Sequence, residues 1–350
     1  MITIIDFTGK AEFYNDGLIS GFHKENSTSL INFISPKNKP ILNLINTNRF
    51  RSIFVPFYVL VTYFIIIIKN KNRIIHFQWL PFESIKLDYL FLLILKFFNK
   101  KLILTVHNLL PHDSGNSYLK YNKKVYQLFD ELIVHDKGAK NQLIAKFKIH
   151  SNKLTISKIG IEIFNNSKLN WNNKSNKILI FGHIRPYKGV SEFINLIWKN
   201  IYKNYSYELI IAGSFEKLEK SKILSILRES NISNVSIIDK RLSDEELDRL
   251  FLESKFCIFP YKIITGSAAI LSALSYGVTC ISSDLPLFKE YNITYGFPYI
   301  YKNVEEFNTI LSNYKESNYL EDSSNSKHIL NNHFNWKKIS QLHLNIYLNA

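Results

Sequence analysis

Short β-branched runs separated by longer helix-like stretches recur along the whole chain, and this alternation constrains the fold more than any other feature. In the first half the runs are Ile2–Ile5, Ile74–Gln78, Leu102–Val106, Glu131–His135 and Leu154–Ser157. In the second they are Lys177–Phe181, Tyr207–Ala212, Val235–Asp239, Phe256–Phe259, Val278–Ser282 and Pro298–Tyr301. Strands that alternate with helices imply parallel sheets covered on both faces, an α/β class. Intervening segments such as Asp244–Ser254 (DEELDRLFLES) open with acids, as a helix dipole favours. A chain of 350 residues exceeds one ordinary core, so two Rossmann-like, doubly wound domains are expected. The polar stretch from Glu162 to Ser175 is the most linker-like segment and puts the domains at 1–165 and 166–330, with 331–350 as a terminal segment. Domains of this kind are expected to face a cleft, with ligands gathered at the carboxyl ends of the strands.

Charge is unevenly spread. Residues 1–170 carry 23 Lys and Arg against 11 Asp and Glu, a net of +12, whereas 171–350 carry 21 against 18, a net of +3. Such asymmetry suggests that the first half meets an anionic surface, nucleic acid or acidic phospholipid. Interleaved aromatic and basic recognition motifs are missing, which argues for no nucleic acid. The longest apolar run, Ile53–Ile68 (IFVPFYVLVTYFIIII), is bracketed by Arg49, Arg51, Lys69, Lys71 and Arg73. It falls short of the roughly 20 residues that span a bilayer, leaving a buried helix or an interfacial helix with basic flanks as the two readings. A second run, Tyr89–Phe98, is interrupted by Lys96. The two cysteines, Cys257 and Cys280, both sit in apolar runs and read as buried free thiols of a reducing compartment. The N-terminus MITIIDFTGKAEF has no basic segment before an apolar one, so no secretory signal is expected. No Cys or His spacing suggests a metal.

Three strand-to-helix junctions carry the informative residues. After Lys177–Phe181 comes Gly182-His183-Ile184-Arg185-Pro186-Tyr187-Lys188-Gly189, with two cations just before the next helix, expected at Ser191–Asn200. Cations there can neutralise a diphosphate, which a nucleotide-sugar leaving group requires; an ordinary solvated loop is the alternative. After Phe256–Phe259, the segment TGSAA opens a small-residue helix ending at Gly277. Gly266, Ser267 and Ala268 there let a backbone approach a phosphate or simply pack tightly. Glu290, eight residues past Ser282, is a candidate to hold a sugar or ribose hydroxyl. Third, Leu102–Val106 runs into His107, with His112 and Asp113 close behind. His107 at a strand end can contact a transferred sugar or donate to phosphate oxygens.

Together these segments resemble the GT-B glycosyltransferases, and within them glycosyltransferase family four, with its bacterial exopolysaccharide, capsule and lipopolysaccharide members. IIHFQW, LILTVHNLLPHD, FDELIVHD, ILIFGHIRPYKG, ELIIAG and FPYKIITGSAAILSALSYGVTCISSD occur in the family's order. FNWKKISQLHLNIY resembles the family's C-terminal helix, which crosses back to the first domain. The resemblance implies an acceptor-binding first domain and a second that binds a nucleotide-sugar. It implies that Lys188 meets the donor phosphates, that His107 lies near the transferred sugar, and that Asp6–Lys10, with Thr8 and Gly9, forms a loop near donor and acceptor; Arg185, two positions past the place of the family's arginine, is expected to help Lys188. His183 stands where the family usually has arginine. The family's paired glutamates align with Ile264 or Thr265 and with Ser272, so that pair is missing, although a subgroup with a TGSA-like loop lacks it too.

The expected activity is metal-independent, cofactor-free transfer from a UDP- or GDP-sugar to a lipid-linked saccharide, with retention as the family precedent. The expected place is the cytoplasm, in peripheral contact with anionic lipid at the inner face of the membrane. A catalytically idle subunit supporting a partner glycosyltransferase is the main alternative, and another enzyme on the same scaffold, such as a nucleotide-sugar epimerase, is a lesser one.

Overall fold

The computed structural model describes residues 2–25, 29, 31–35, 57–62, 64–65, 73–82, 86–109, 117–162, 174–264 and 268–349. The chain divides into two compact units, Met1–Gly160 with Phe334–Ala350, and Ile161–His333.

The first unit is built on a parallel sheet of β1 (Ile2–Ile5), β2 (Ile31–Ile34), β3 (Ile74–Phe77), β4 (Lys101–Thr105), β5 (Glu131–Val134) and β6 (Leu154–Ile156), in the order β2-β1-β3-β4-β5-β6. Its strands are near-continuous Ile, Leu and Val because both faces are covered. Ile5, Ile75, Phe77, Leu102, Leu104 and Leu132 point to one face, where Val59, Leu92, Leu95, Val125 and Leu143 cover them. Ile2, Ile4, Ile103 and Ile133 point to the other, against Leu18, Phe22, Trp336 and Ile339. Each fully buried side chain of this size contributes about 1.5–3 kcal/mol. The edge strand β2 is absent from the sequence expectation: in INFI only Ile34 is buried, so neither alternation nor a sustained apolar run marks it.

The second sheet comprises β7 (Ser175–Phe181), β8 (Glu208–Gly213), β9 (Val235–Asp239), β10 (Ser254–Phe259), β11 (Thr279–Ser283) and β12 (Tyr299–Tyr301), also parallel, in the order β12-β11-β10-β7-β8-β9. This is the strand order of dinucleotide-binding domains, with its reversal between β7 and β10. Cys257 and Cys280 face each other across β10 and β11 as buried free thiols. The helix expected at Ser191–Asn200 begins at Val190 and is not uniform: α-helix over Val190–Phe193 passes into a π turn over Ile194–Trp198. The helix Asp244–Glu253, expected from its acid-rich first turn, also carries a capping box, Ser243 and Glu246 bonding each other's backbone.

The last helix, Trp336–Asn349, belongs to the first unit and packs on the helix Glu12–Lys24. Trp336 is seated where two glycines leave room: an added Cβ on Gly17 would come within 1.9 Å of the indole, and one on Gly160 within 2.3 Å. Buried hydrogen bonds then fix the helix to the strands. His343 Nε2 lies 2.9 Å from the Tyr14 hydroxyl and 3.2 Å from that of Ser157, and Tyr347 lies 2.7 Å from His76 Nδ1.

Of the apolar run Ile53–Ile68, residues 57–62 and 64–65 are helical and the remainder lies outside the described residues, as do residues 163–173 of the linker-like stretch. The described part is a covering helix, with Val59 in the core, whose other side exposes Phe57, Leu60, Val61, Phe64 and Ile65.

Candidate active site

In the second unit the loops after β7 and β10 meet at the point where the strand order reverses. The β7 loop is pinned by Ile184, fully buried, whose N–H donates to Ser214 O at 2.8 Å and whose carbonyl accepts from Glu216 N at 2.9 Å. Pro186–Lys188 then makes one 3₁₀ turn, and Gly189 turns into the helix with a left-handed φ of 65°. Only glycine fits there, because a Cβ would stand 2.1 Å from the Pro260 carbonyl of the β10 loop. The loops are also joined by Lys262 N donating to Tyr187 O at 2.8 Å.

This packing folds Lys188 inward. It is 6% exposed, its ammonium donates to the Phe181 carbonyl at 2.9 Å, and it lies 5.4 Å from the centre of the Tyr261 ring. Among the described residues no carboxylate pairs with it. Burial pushes its pKa down to about 8, against a small opposing pull from Cys257 and with Arg185 adding to the fall. A buried cation held by one carbonyl and one aromatic face is poorly compensated. An anion placed there would gain the full interaction.

Arg185 is half-buried on the same loop, and His183 is exposed, with Nδ1 2.6 Å from the Ser214 hydroxyl. Ala268 is the first residue of the helix Ala268–Ser275, whereas Gly266 and Ser267 lie outside the described residues. Glu290 is half-buried on the helix Pro286–Tyr295. Ser272 turns its hydroxyl back to Ala268 O, within its own helix. The carboxylate beside the β7 loop is Glu192, which the sequence reading passed over. Burial alone would raise it, but hydrogen bonds from Lys222 and Lys262, each 3.0 Å, hold it down to about 2. An acid in the first helical turn after such a loop was the available signal.

The first unit has its own reversal point, between β1 and β3. Asp6, 1% exposed at the end of β1, orders the next loop by accepting from Thr8 N and Oγ1, Gly9 N, Ala11 N and Asn15 Nδ2 at 2.8–3.0 Å. Lys10 reaches from this loop over Trp79, just past β3, 4.8 Å from its ring. Trp79 stacks on His107 with centroids 5.8 Å apart and planes 11° apart. His107, just past β4, is half-buried. Its Nε2 is 3.2 Å from Gln78 Oε1, and its Nδ1 is 3.0 Å from Nε2 of His135, just past β5. His107 is pushed well below the ordinary imidazole value by burial, then by His135 and His343, so the ring is neutral at neutral pH. Thus Thr8, Gly9 and His107 gather in this unit, while Lys188 and Arg185 gather in the other; His112 lies outside the described residues. Trp79 was legible only as the residue after the expected strand Ile74–Gln78, and His135 only as the last residue of Glu131–His135.

No curated protein matches the sequence. Residues 162–329, the bulk of the second unit, match the family of glycosyl transferases group 1. Among solved structures, a glycosyltransferase from Rickettsia africae is 15% identical, with 99% of this chain and 97% of that chain covered and a TM-score of 0.72. Anabaena HepE, solved with UDP-glucose, is 11% identical over 100% of this chain and 99% of its own, with a TM-score of 0.73. The lipopolysaccharide outer core galactosyltransferase WaaB is 13% identical over 100% and 99%, at 0.64. The fold is GT-B, and with the family match these findings support a glycosyltransferase enzyme.

Replacing Lys188 by Met should stabilise the ligand-free protein at neutral pH by about 1–3 kcal/mol, since it removes an uncompensated buried charge. The folded chain releases this proton near 8 whereas an unfolded lysine keeps it to 10.5. The wild-type deficit is therefore full below 8 and shrinks as pH rises towards 10.5. Urea unfolding of both proteins across that window checks it, and a less stable Lys188→Met variant at neutral pH would contradict it.

Proposed function

We propose that the chain transfers a sugar from a UDP- or GDP-sugar to a lipid-linked oligosaccharide during bacterial surface polysaccharide synthesis, as a member of the family-four type. The observation that carries this reading is Lys188, a buried ammonium with no carboxylate among the described residues, at the strand-order reversal of a dinucleotide-type sheet. Charge grows on the departing diphosphate as the glycosidic bond breaks. A fixed cation in a poorly hydrated pocket stabilises that charge most at the transition state. Arg185 adds a second cation from the same loop, and the helix Ala268–Ser275 adds its N-terminus. His183 and Glu290 serve the donor's hydroxyl-bearing parts, and Thr8, Gly9 and His112 the acceptor side. Two similar structures were solved with UDP or UDP-glucose, which supports a nucleotide-sugar donor. Retention rests on the family precedent. The family's missing glutamate pair favours one rival, an idle subunit, since Ser272 is engaged within its own helix.

We also propose that the first unit rests on acidic phospholipid at the inner membrane face. No described helix is long and apolar enough to cross a membrane. Two helices on one face of the first sheet nevertheless leave apolar stripes outward: Phe57, Leu60, Val61, Phe64 and Ile65 on one, Leu90, Leu93, Ile94 and Phe97 on the other. The helix Ser117–Gln127, which packs beside the second stripe, carries Lys120, Lys123 and Lys124 and no acid. Apolar stripes next to lysines suit an anionic interface.

Calorimetric titration with UDP and GDP and their sugar conjugates should show one preferred nucleotide. Its affinity should fall about 10–100-fold in Lys188→Ala. No binding by folded protein would move the reading to the idle subunit, whereas sugar transfer lost in Lys188→Ala would dispose of that rival. Sedimentation with phosphatidylglycerol vesicles should show salt-sensitive binding that Leu93→Asp with Phe97→Asp abolishes; wild-type protein that stays unbound at low salt would rule out the docking.

A further inference from the structure

The Lys188 ammonium is enclosed by two walls that come from different strands. One is the backbone that leaves β7: the Phe181 carbonyl accepts from the ammonium at 2.9 Å, and an added Cβ on Gly182 would come within 2.9 Å of Nζ. The other is the ring of Tyr261, which follows β10. Its centre is 5.4 Å from Nζ, inside the roughly 6 Å over which an aromatic face attracts a cation.

That ring is held in place. Tyr261 is buried, with Phe259 and Tyr187 in edge contact at 5.8 and 6.2 Å and Phe288 at 6.0 Å. Its backbone is held too. The Ser283 hydroxyl, at the end of β11, donates to the Tyr261 carbonyl at 2.6 Å, and the adjacent Lys262 N–H donates to Tyr187 O.

Among the described residues, no other group at this place favours the charge on Lys188. Arg185, on the same loop, repels it. Cys257 on β10 could attract it only as a thiolate, and burial pushes that thiol up, so it is neutral at neutral pH. Burial likewise keeps Tyr187 a neutral phenol. Glu192, in the first turn of the next helix, is engaged by Lys222 and Lys262. The ammonium is left with one carbonyl and one π face.

We propose that Tyr261 is a positioning residue of the donor site, whose ring face holds the Lys188 ammonium cationic and folded inward before a donor arrives. This rests on the reading that Lys188 meets the donor's phosphates, and adds to it the group that prepares the lysine. A diphosphate then meets a cation that has neither to take up a proton nor to move, which is the preorganisation that charge stabilisation requires. Tyr261 acts through Lys188 and has no need to touch the donor.

A ring that merely filled space would serve equally well with its π electrons withdrawn. Fluorination separates the two roles, because it weakens the negative face while nearly keeping the shape. The proteins to compare are full-length Tyr261→Phe and the same variant carrying successively more fluorines on that ring, each followed by NMR titration of Lys188 in lysine-labelled protein. Tyr261→Phe keeps the face and should titrate near 8, like the wild type. Added fluorines should lower the value stepwise, by about one unit across the series. UDP affinity, read by calorimetry, should follow. At about pH 6 the variants should bind alike, whereas at about pH 8 the most fluorinated one should bind about fivefold more weakly than Tyr261→Phe. A Lys188 titration that stays constant or rises along the series would overturn the proposal, as would affinities that fall equally at both pH values. Failure of the folded protein to bind UDP would count against the donor reading instead, and the titration of the ligand-free protein would still decide this one.

Discussion

Covering both faces of a parallel sheet dictates most of what this molecule can do. Side chains along β1, β3, β4, β7, β8 and β10 alternate between two largely apolar layers, with a few hydrogen-bonded exceptions such as His76 and Thr105. Polar groups collect just beyond the last ladder bond, where the backbone leaves the sheet with N–H groups and side chains to place. Asp6 follows β1, Gln78 and Trp79 follow β3, His107 follows β4 and His135 follows β5. In the second unit the Gly182–Gly189 loop follows β7, and Pro260–Lys262 follows β10. The candidate site residues are thus few, far apart in sequence and brought together, within each unit, by strand order.

Within that frame the two units solve opposite electrostatic problems. The first gathers buried imidazoles that stay neutral, satisfied by one another and by Tyr14, Tyr347, Thr105 and Ser157. Such a network is specific and leaves no charge to neutralise. The second buries the Lys188 ammonium, which among the described residues meets a carbonyl and a ring and no carboxylate. A group so placed destabilises the free protein and favours an anionic ligand, the exchange expected where function and stability compete.

Much of the strand framework was legible because Ile, Leu and Val runs bounded by polar turns have few other uses, and the junction FGHIRPYKGV was legible because strand, glycine, cations and helix follow in order. The edge strand β2 was not, since a half-exposed INFI carries no alternation. The π turn within 194–198 was invisible because a single turn is too short to shift the apolar spacing of the helix around it. Trp79, His135 and Glu192 were missed for a different reason. Each acts through a neighbour distant in sequence: Trp79 through His107, His135 through Ser157, and Glu192 through Lys222 and Lys262. Pairings of that kind come from strand order, which local sequence does not display.

In the proposed function Lys188 is the cation that meets the donor's phosphates. The most direct measurement is the titration of its ammonium by NMR in lysine-labelled protein, free and saturated with the nucleotide it binds. In the free protein the signal should titrate near 8, and the bound nucleotide should raise that value towards the ordinary lysine range of 10.5. A Lys188 that titrates identically in both states, while the nucleotide is demonstrably bound, would contradict the account.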